Sequence, residues 1–118
     1  MIRFWVVLAA FFITLPFGAH AFERVAEKAS FIELVEGRNL TRLGIRLAVA
    51  PTGEIKGRAF GRRVSGQWQW SQDGYFCRDL YYGEQDLGPN CQMVEVNGNT
   101  VRFTSDKGNG IFADLRID

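Results

Sequence analysis

The chain has 118 residues, with 14 Lys or Arg against 13 Asp or Glu and a single histidine. That length suits one domain, and the balance of charge gives no electrostatic reason to expect nucleic acid or an anionic membrane as the main partner. The one histidine, His20, falls in a leader expected to be removed, which excludes imidazole from catalysis or metal binding in the mature chain.

Met1-Ile2-Arg3, an apolar run over 4–17 and Ala19-His20-Ala21 form the charged, hydrophobic and A-x-A parts of a signal peptide spanning 1–21. The run is too short for a membrane span, which needs about 20 residues. Cleavage before Phe22 leaves 22–118 as a single small β domain, soluble, without stable membrane insertion, and periplasmic or secreted. Arg3 leaves with the leader, so the mature chain is neutral overall.

One segment carries helical period. Val25, Ala26, Ala29, Ile32 and Val35 recur at threes and fours, predicting a helix over about 23–36 whose apolar face covers an open end or a flank of the fold. Ser30-Phe31-Ile32-Glu33 reads as a capping box, and Gly37 stands where a left-handed C-cap belongs.

From Leu40 the period becomes two. Ile45, Leu47 and Val49 share one face, then Ile55, Gly57 and Ala59, then Val64, Gly66, Trp68 and Trp70. Asp73-Gly74 predicts a two-residue hairpin turn. A strand over 75–82 precedes a loop over 83–90 in which Gly83, Gly88 and Pro89 forbid regular structure. Strands over 91–96, 99–105 and 111–117 complete the series, with Asn97-Gly98 and Lys107-Gly108-Asn109-Gly110 as turns. Eight short strands without intervening helices predict an all-β fold with one short N-terminal helix: an antiparallel meander forming a small barrel or strongly bent sheet. A two-sheet sandwich is the alternative. Gly57 and Gly66, on core-facing positions of adjacent strands, favour curvature and hence the barrel.

Cys77 and Cys91, in an exported chain, are read as one disulfide. Their spacing fits neither a C-x-x-C redox motif nor a zinc site, so no metal is expected. Gly108-Asn109-Gly110-Ile111-Phe112-Ala113 fits a G-x-G-x-x-A dinucleotide fingerprint, but too few residues follow it for a crossover helix, and it reads as a glycine-rich turn without a cofactor. Lys56, Arg58, Arg62 and Arg63 read as a solvated charged edge that deters sheet association. Asp73, Asp79, Glu84 and Asp86 have no spacing that favours a catalytic carboxylate pair. Trp68, Trp70, Tyr75, Arg78, Tyr81 and Tyr82 are the candidate ligand face, with core filling the competing role for the aromatics.

The stretch from Phe31 to Arg38, Gly66-Gln67-Trp68-Gln69-Trp70, Gly74-Tyr75-Phe76-Cys77-Arg78, Asn90-Cys91-Gln92 and the stretch from Arg102 to Gly108 together resemble a family of small exported alphaproteobacterial proteins, mostly of unknown function, whose members often bear the label dihydrodipicolinate reductase. The resemblance implies a periplasmic domain with a disulfide framework. The label implies a Rossmann domain, a nicotinamide cofactor and a catalytic histidine, and no residue here carries those roles. Three functions are therefore expected in this order: a non-catalytic binding or interaction module for a small ligand or an envelope protein; a structural or inhibitor-like accessory; and an enzyme, the labelled reductase included. No catalytic or cofactor-binding residue is assigned, and oligomeric state is left open.

Overall fold

The computed structural model describes residues 21–118, so the leader reading lies outside the described residues except for Ala21. The elements in chain order are β1 (Glu23–Val25), α1 (Lys28–Val35), β2 (Leu40–Arg42), β3 (Ile45–Val49), β4 (Glu54–Ala59), β5 (Arg62–Trp70), β6 (Phe76–Tyr82), β7 (Gln85–Asp86), β8 (Asn90–Asn97), β9 (Thr100–Thr104), α2 (Ser105–Gly108) and β10 (Phe112–Ile117).

Strands β2 to β6 pair in sequence order, β8 to β10 do the same, and the two runs join at β10–β2 and at β6–β8. The result is a closed eight-strand antiparallel barrel with β1 and β7 as additional strands. Period-two patterning produces it: Val49, Ile55, Val64, Trp68, Phe76, Val94, Val101 and Leu115 are buried between more exposed sequence neighbours, and Phe103 is buried as well, next to an equally buried Thr104. Closure also needs sharp curvature. A Cβ on Gly57 would run into the Arg46 carbonyl, and one on Gly66 into the Asp79 carbonyl, so both positions allow strands to approach where a side chain would hold them apart.

The strands are strongly staggered. Phe76, the first residue of β6, lies opposite Gln92, the third of β8, and only Phe76 to Arg78 reach β8 at all. The remainder of that β8 edge is taken by β1, where Val25 faces Val94. Stagger, strand tilt and diameter are linked in a barrel, and eight strands suffice either to fill the interior or to hold one small ligand.

Helix α1 lies across one end of the barrel. Phe31 is fully buried, its ring 5.1–5.3 Å from those of Trp68, Trp70 and Phe76. The helix is shorter than the 23–36 expected from its period. Residues 23–25 instead extend the sheet: β6 leaves part of the β8 edge unpaired, and the Trp70 indole donates to the Ala26 carbonyl at 2.9 Å. Ser30 is not the N-cap; the helix begins after Glu27, with no side-chain cap, and Ser30 sits inside it. Gly37 does adopt a left-handed φ of 70°.

Two turn readings also change. The β5–β6 connection is longer than a two-residue hairpin, because the Ser71 hydroxyl accepts from Tyr75 N–H and Ser71 N–H donates to the Tyr75 carbonyl, closing 71–75 as a unit. Within 83–90, Gln85–Asp86 forms the short β7 against Tyr81 and Tyr82. Segment α2 is a left-handed turn, with Asp106 and Lys107 at φ 55° and 54°; the Asn90 side chain holds it, donating to Asp106 Oδ1 at 2.8 Å and accepting from Asp106 N–H at 3.0 Å.

A candidate ligand cavity inside the barrel

In an antiparallel meander alternate turns share an end. By strand direction the turns at 50–53, 71–75 and 98–99 fall on the side that α1 covers and those at 43–44, 60–61, 83–89 and 105–111 on the other, with the stagger large enough that Asp73 and Lys107, from opposite sets, meet at 2.9 Å. Among the described residues only the left-handed α2 turn, and no regular helix, lies on that second side. A cavity of about 270 Å³ lies inside the barrel, walled by Leu47, Ile55, Leu80 and Leu115. Phe76 and Phe103 also line it, and both stack on the aromatic cluster around Phe31, so the cluster forms the floor. Ile111 and Phe112 line its mouth and are 84% and 57% exposed.

Three polar side chains enter this apolar space: Arg78, Gln92 and Ser105. Alternation on β6 turns Arg78 inward between Phe76 and Leu80, and alternation on β8 turns Gln92 inward before Val94. The Gln92 amide reaches the Ser105 hydroxyl at 3.4 Å. Arg78 donates to the Gly88 carbonyl at 2.8 Å and takes part in no ion pair among the described residues. Burial lowers its pKa from the ordinary arginine value, and the neighbouring Asp79, which alternation turns outward, acts in the opposite sense. It remains a cation, and one that has lost part of its water without gaining a carboxylate.

The disulfide stands beside this group. Cys77 and Cys91 face each other directly on the β6–β8 seam and are bonded. Arg78 and Gln92, the residues that follow each cysteine, are turned inward.

Of the six residues of the expected ligand face, Arg78 alone lines the cavity. Trp68 is buried in the core cluster, and its indole donates to the Ala50 carbonyl at 2.8 Å. Trp70 packs beside Phe31. Tyr75 lies under Arg24 and Lys107, Tyr81 faces outward, and Tyr82 lies under Arg62. Trp68 and Arg78 also border a separate, more polar depression beside the disulfide, together with Gln67, Asp79 and Asn90. Gln92, Ser105, Ile111 and Phe112 were not singled out by sequence. Gln92 carried a signal nonetheless, as a polar residue at an inward position of its strand.

Gly108 to Ala113 lead from the α2 turn into β10, with no helix following, which is incompatible with a dinucleotide fingerprint. Arg102 and Asp114 pair bidentately on adjacent strands at 2.8 and 3.0 Å, raising the arginine pKa and lowering that of the carboxylate. Among the described residues no group of three or more His, Cys, Asp or Glu side chains is placed to hold a metal, and no helix is long and apolar enough to cross a membrane.

Fold and cavity together define a small antiparallel barrel with one end closed by a helix and an apolar interior space open at the other. No protein-family model matches the chain, and no curated protein sequence or solved structure does.

Proposed function

We propose that the protein is a non-catalytic binding module that takes up a small ligand with an apolar body and an anionic end. The observation that carries this reading is Arg78, a half-buried guanidinium without an ion pair among the described residues, lining a mostly apolar cavity whose other polar side chains, Gln92 and Ser105, are uncharged. A carboxylate or sulfonate there gains a charge-assisted, bidentate partner, while its chain displaces water from Leu47, Ile55, Phe103 and Leu115. The leader read over 1–21 and the resemblance to small exported proteins support a periplasmic or secreted site of action. The disulfide is compatible with such an oxidising compartment.

The test compares decanoate with decanol by isothermal calorimetry on the disulfide-bonded protein. Decanoate should bind saturably, and Arg78→Leu should weaken it at least about tenfold, or about 1.4 kcal/mol, with little effect on decanol. Absence of saturable decanoate binding at millimolar concentration, or equal loss for both compounds, contradicts the reading.

A further inference from the structure

Charge on this barrel is balanced in total and segregated in space. Arg46, Arg58 and Arg63 stand directly opposite one another on β3, β4 and β5. Leu47, Gly57 and Val64 take the inward positions next to them, so the three guanidinium groups share one outer face and all are exposed. Arg42 and Arg62 flank the adjoining turns and are exposed as well. None of the five forms an ion pair among the described residues. Like charges directly opposite on adjacent strands repel, so the ladder weakens the isolated fold. Protection of a sheet edge does not explain it: β4 and β5 are paired on both sides in the closed barrel and offer no edge.

Apolar residues stand at the tips of the same hairpins. Leu43, in the β2–β3 turn, is 93% exposed, and Phe60, in the β4–β5 turn, is 70% exposed. Their turns touch, with the Phe60 ring against Gly44 and Phe60 N–H donating to the Gly44 carbonyl at 2.7 Å. Phe60 also sits at φ 51°, a conformation that favours Gly or Asn and strains an aromatic residue. Exposure, strain and repulsion all disfavour this corner of the molecule in free solution.

We infer that this corner docks on an anionic phospholipid surface, with Leu43 and Phe60 entering the boundary of the acyl region and the arginine ladder meeting lipid phosphates behind them. The two apolar side chains stand exposed at the tips of touching turns, which suits a planar, deformable partner. Planar guanidinium groups repeated at strand spacing, about 4.8 Å, are suited to an array of phosphates. The turns lie at the same end of the barrel as the cavity mouth. The inference rests on Leu43, Phe60 and the arginines, and stands independently of the ligand reading.

Co-sedimentation with vesicles tests it, using the full chain so that any contribution of residues 1–21 is common to all variants. One set of vesicles contains phosphatidylglycerol and phosphatidylcholine, the other phosphatidylcholine alone. Preference for the anionic set should be at least tenfold and should fall with added salt. The double variants Arg58→Glu with Arg63→Glu, and Leu43→Ser with Phe60→Asn, should each reduce anionic binding about tenfold or more. Asparagine accepts positive φ, so the second variant keeps its fold, which near-ultraviolet circular dichroism verifies. Equal binding to both vesicle types, or no change in either double variant, overturns the inference. Binding to heparin as tight as to vesicles and insensitive to the Leu43 and Phe60 changes also overturns it, assigning the face to a soluble polyanion. Decanoate binding, measured without vesicles, reports separately on the cavity.

Discussion

Asp73 and Lys107 belong to different turns and meet at 2.9 Å across the outside of the β6–β8 seam, where the lysine also approaches the Tyr75 ring. The Ser71 hydroxyl and then the Lys107 ammonium hold the Asp73 carboxyl down to about 2 from 3.8. Because the folded-state value is depressed, the ionised form favours the fold: its contribution is complete above the ordinary value and is lost as pH falls through about 2. Asp73→Asn should therefore lose less stability than the wild type between about pH 5 and pH 2, as read from urea midpoints. Equal losses would remove Asp73 from the acid response. Arg78 shows what single residues can and cannot reveal. Its inward position follows from alternation with Phe76 and Leu80, and sequence placed it on the candidate ligand face; that no carboxylate meets it depends on contacts from distant strands.

At the level of elements, the weak points are the two short seams. The β10–β2 pairing has two residue pairs and β6–β8 has three, whereas β5–β6 has seven. The disulfide occupies the middle pair of the β6–β8 seam, closing a loop of about 15 residues, which is worth roughly 3 kcal/mol in the chain-entropy picture. Replacing both cysteines with serine should cost about 2–5 kcal/mol in denaturant unfolding. It should also weaken decanoate binding, because Arg78 and Gln92 adjoin the broken bond. A loss below about 1 kcal/mol would show that backbone pairing alone holds the seam.

The same scale explains which elements were legible. Seven of the eight barrel strands were visible because each alternates inside with outside and ends at a turn residue, whereas the three-residue β2 (Leu40–Arg42) is too short for an alternation of its own. The N-terminal segment misled because Val25 and Ala26 fit a helical period when only local spacing is considered. Stagger left an unpaired length of β8, and that tertiary vacancy drew residues 23–25 into β1. No local pattern encodes it. Similarly, Gln85–Asp86 became β7 because Tyr81 and Tyr82 offer an outer edge, although Gly83, Gly88 and Pro89 bracket it.

For the whole molecule, the two ends of the barrel have different constructions. At one, α1 drives Phe31 into Trp68, Trp70 and Phe76, drawing both tryptophans of the expected ligand face into the core cluster, Trp68 fully and Trp70 in part, while Tyr75, Tyr81 and Tyr82 stay outside it. At the other, the cavity stays open between apolar lips, with Arg78 reaching into it. Composition predicted the aromatic wealth, and only the closed topology decides which rings become floor and which residues become wall. The most direct test is a crystal structure of the protein with decanoate. The account predicts the carboxylate about 3 Å from the Arg78 guanidinium, and the chain lying among Leu47, Ile55, Phe103 and Leu115. A cavity closed by collapse of Phe76 and Phe103, or decanoate held only on the outer surface, would contradict it.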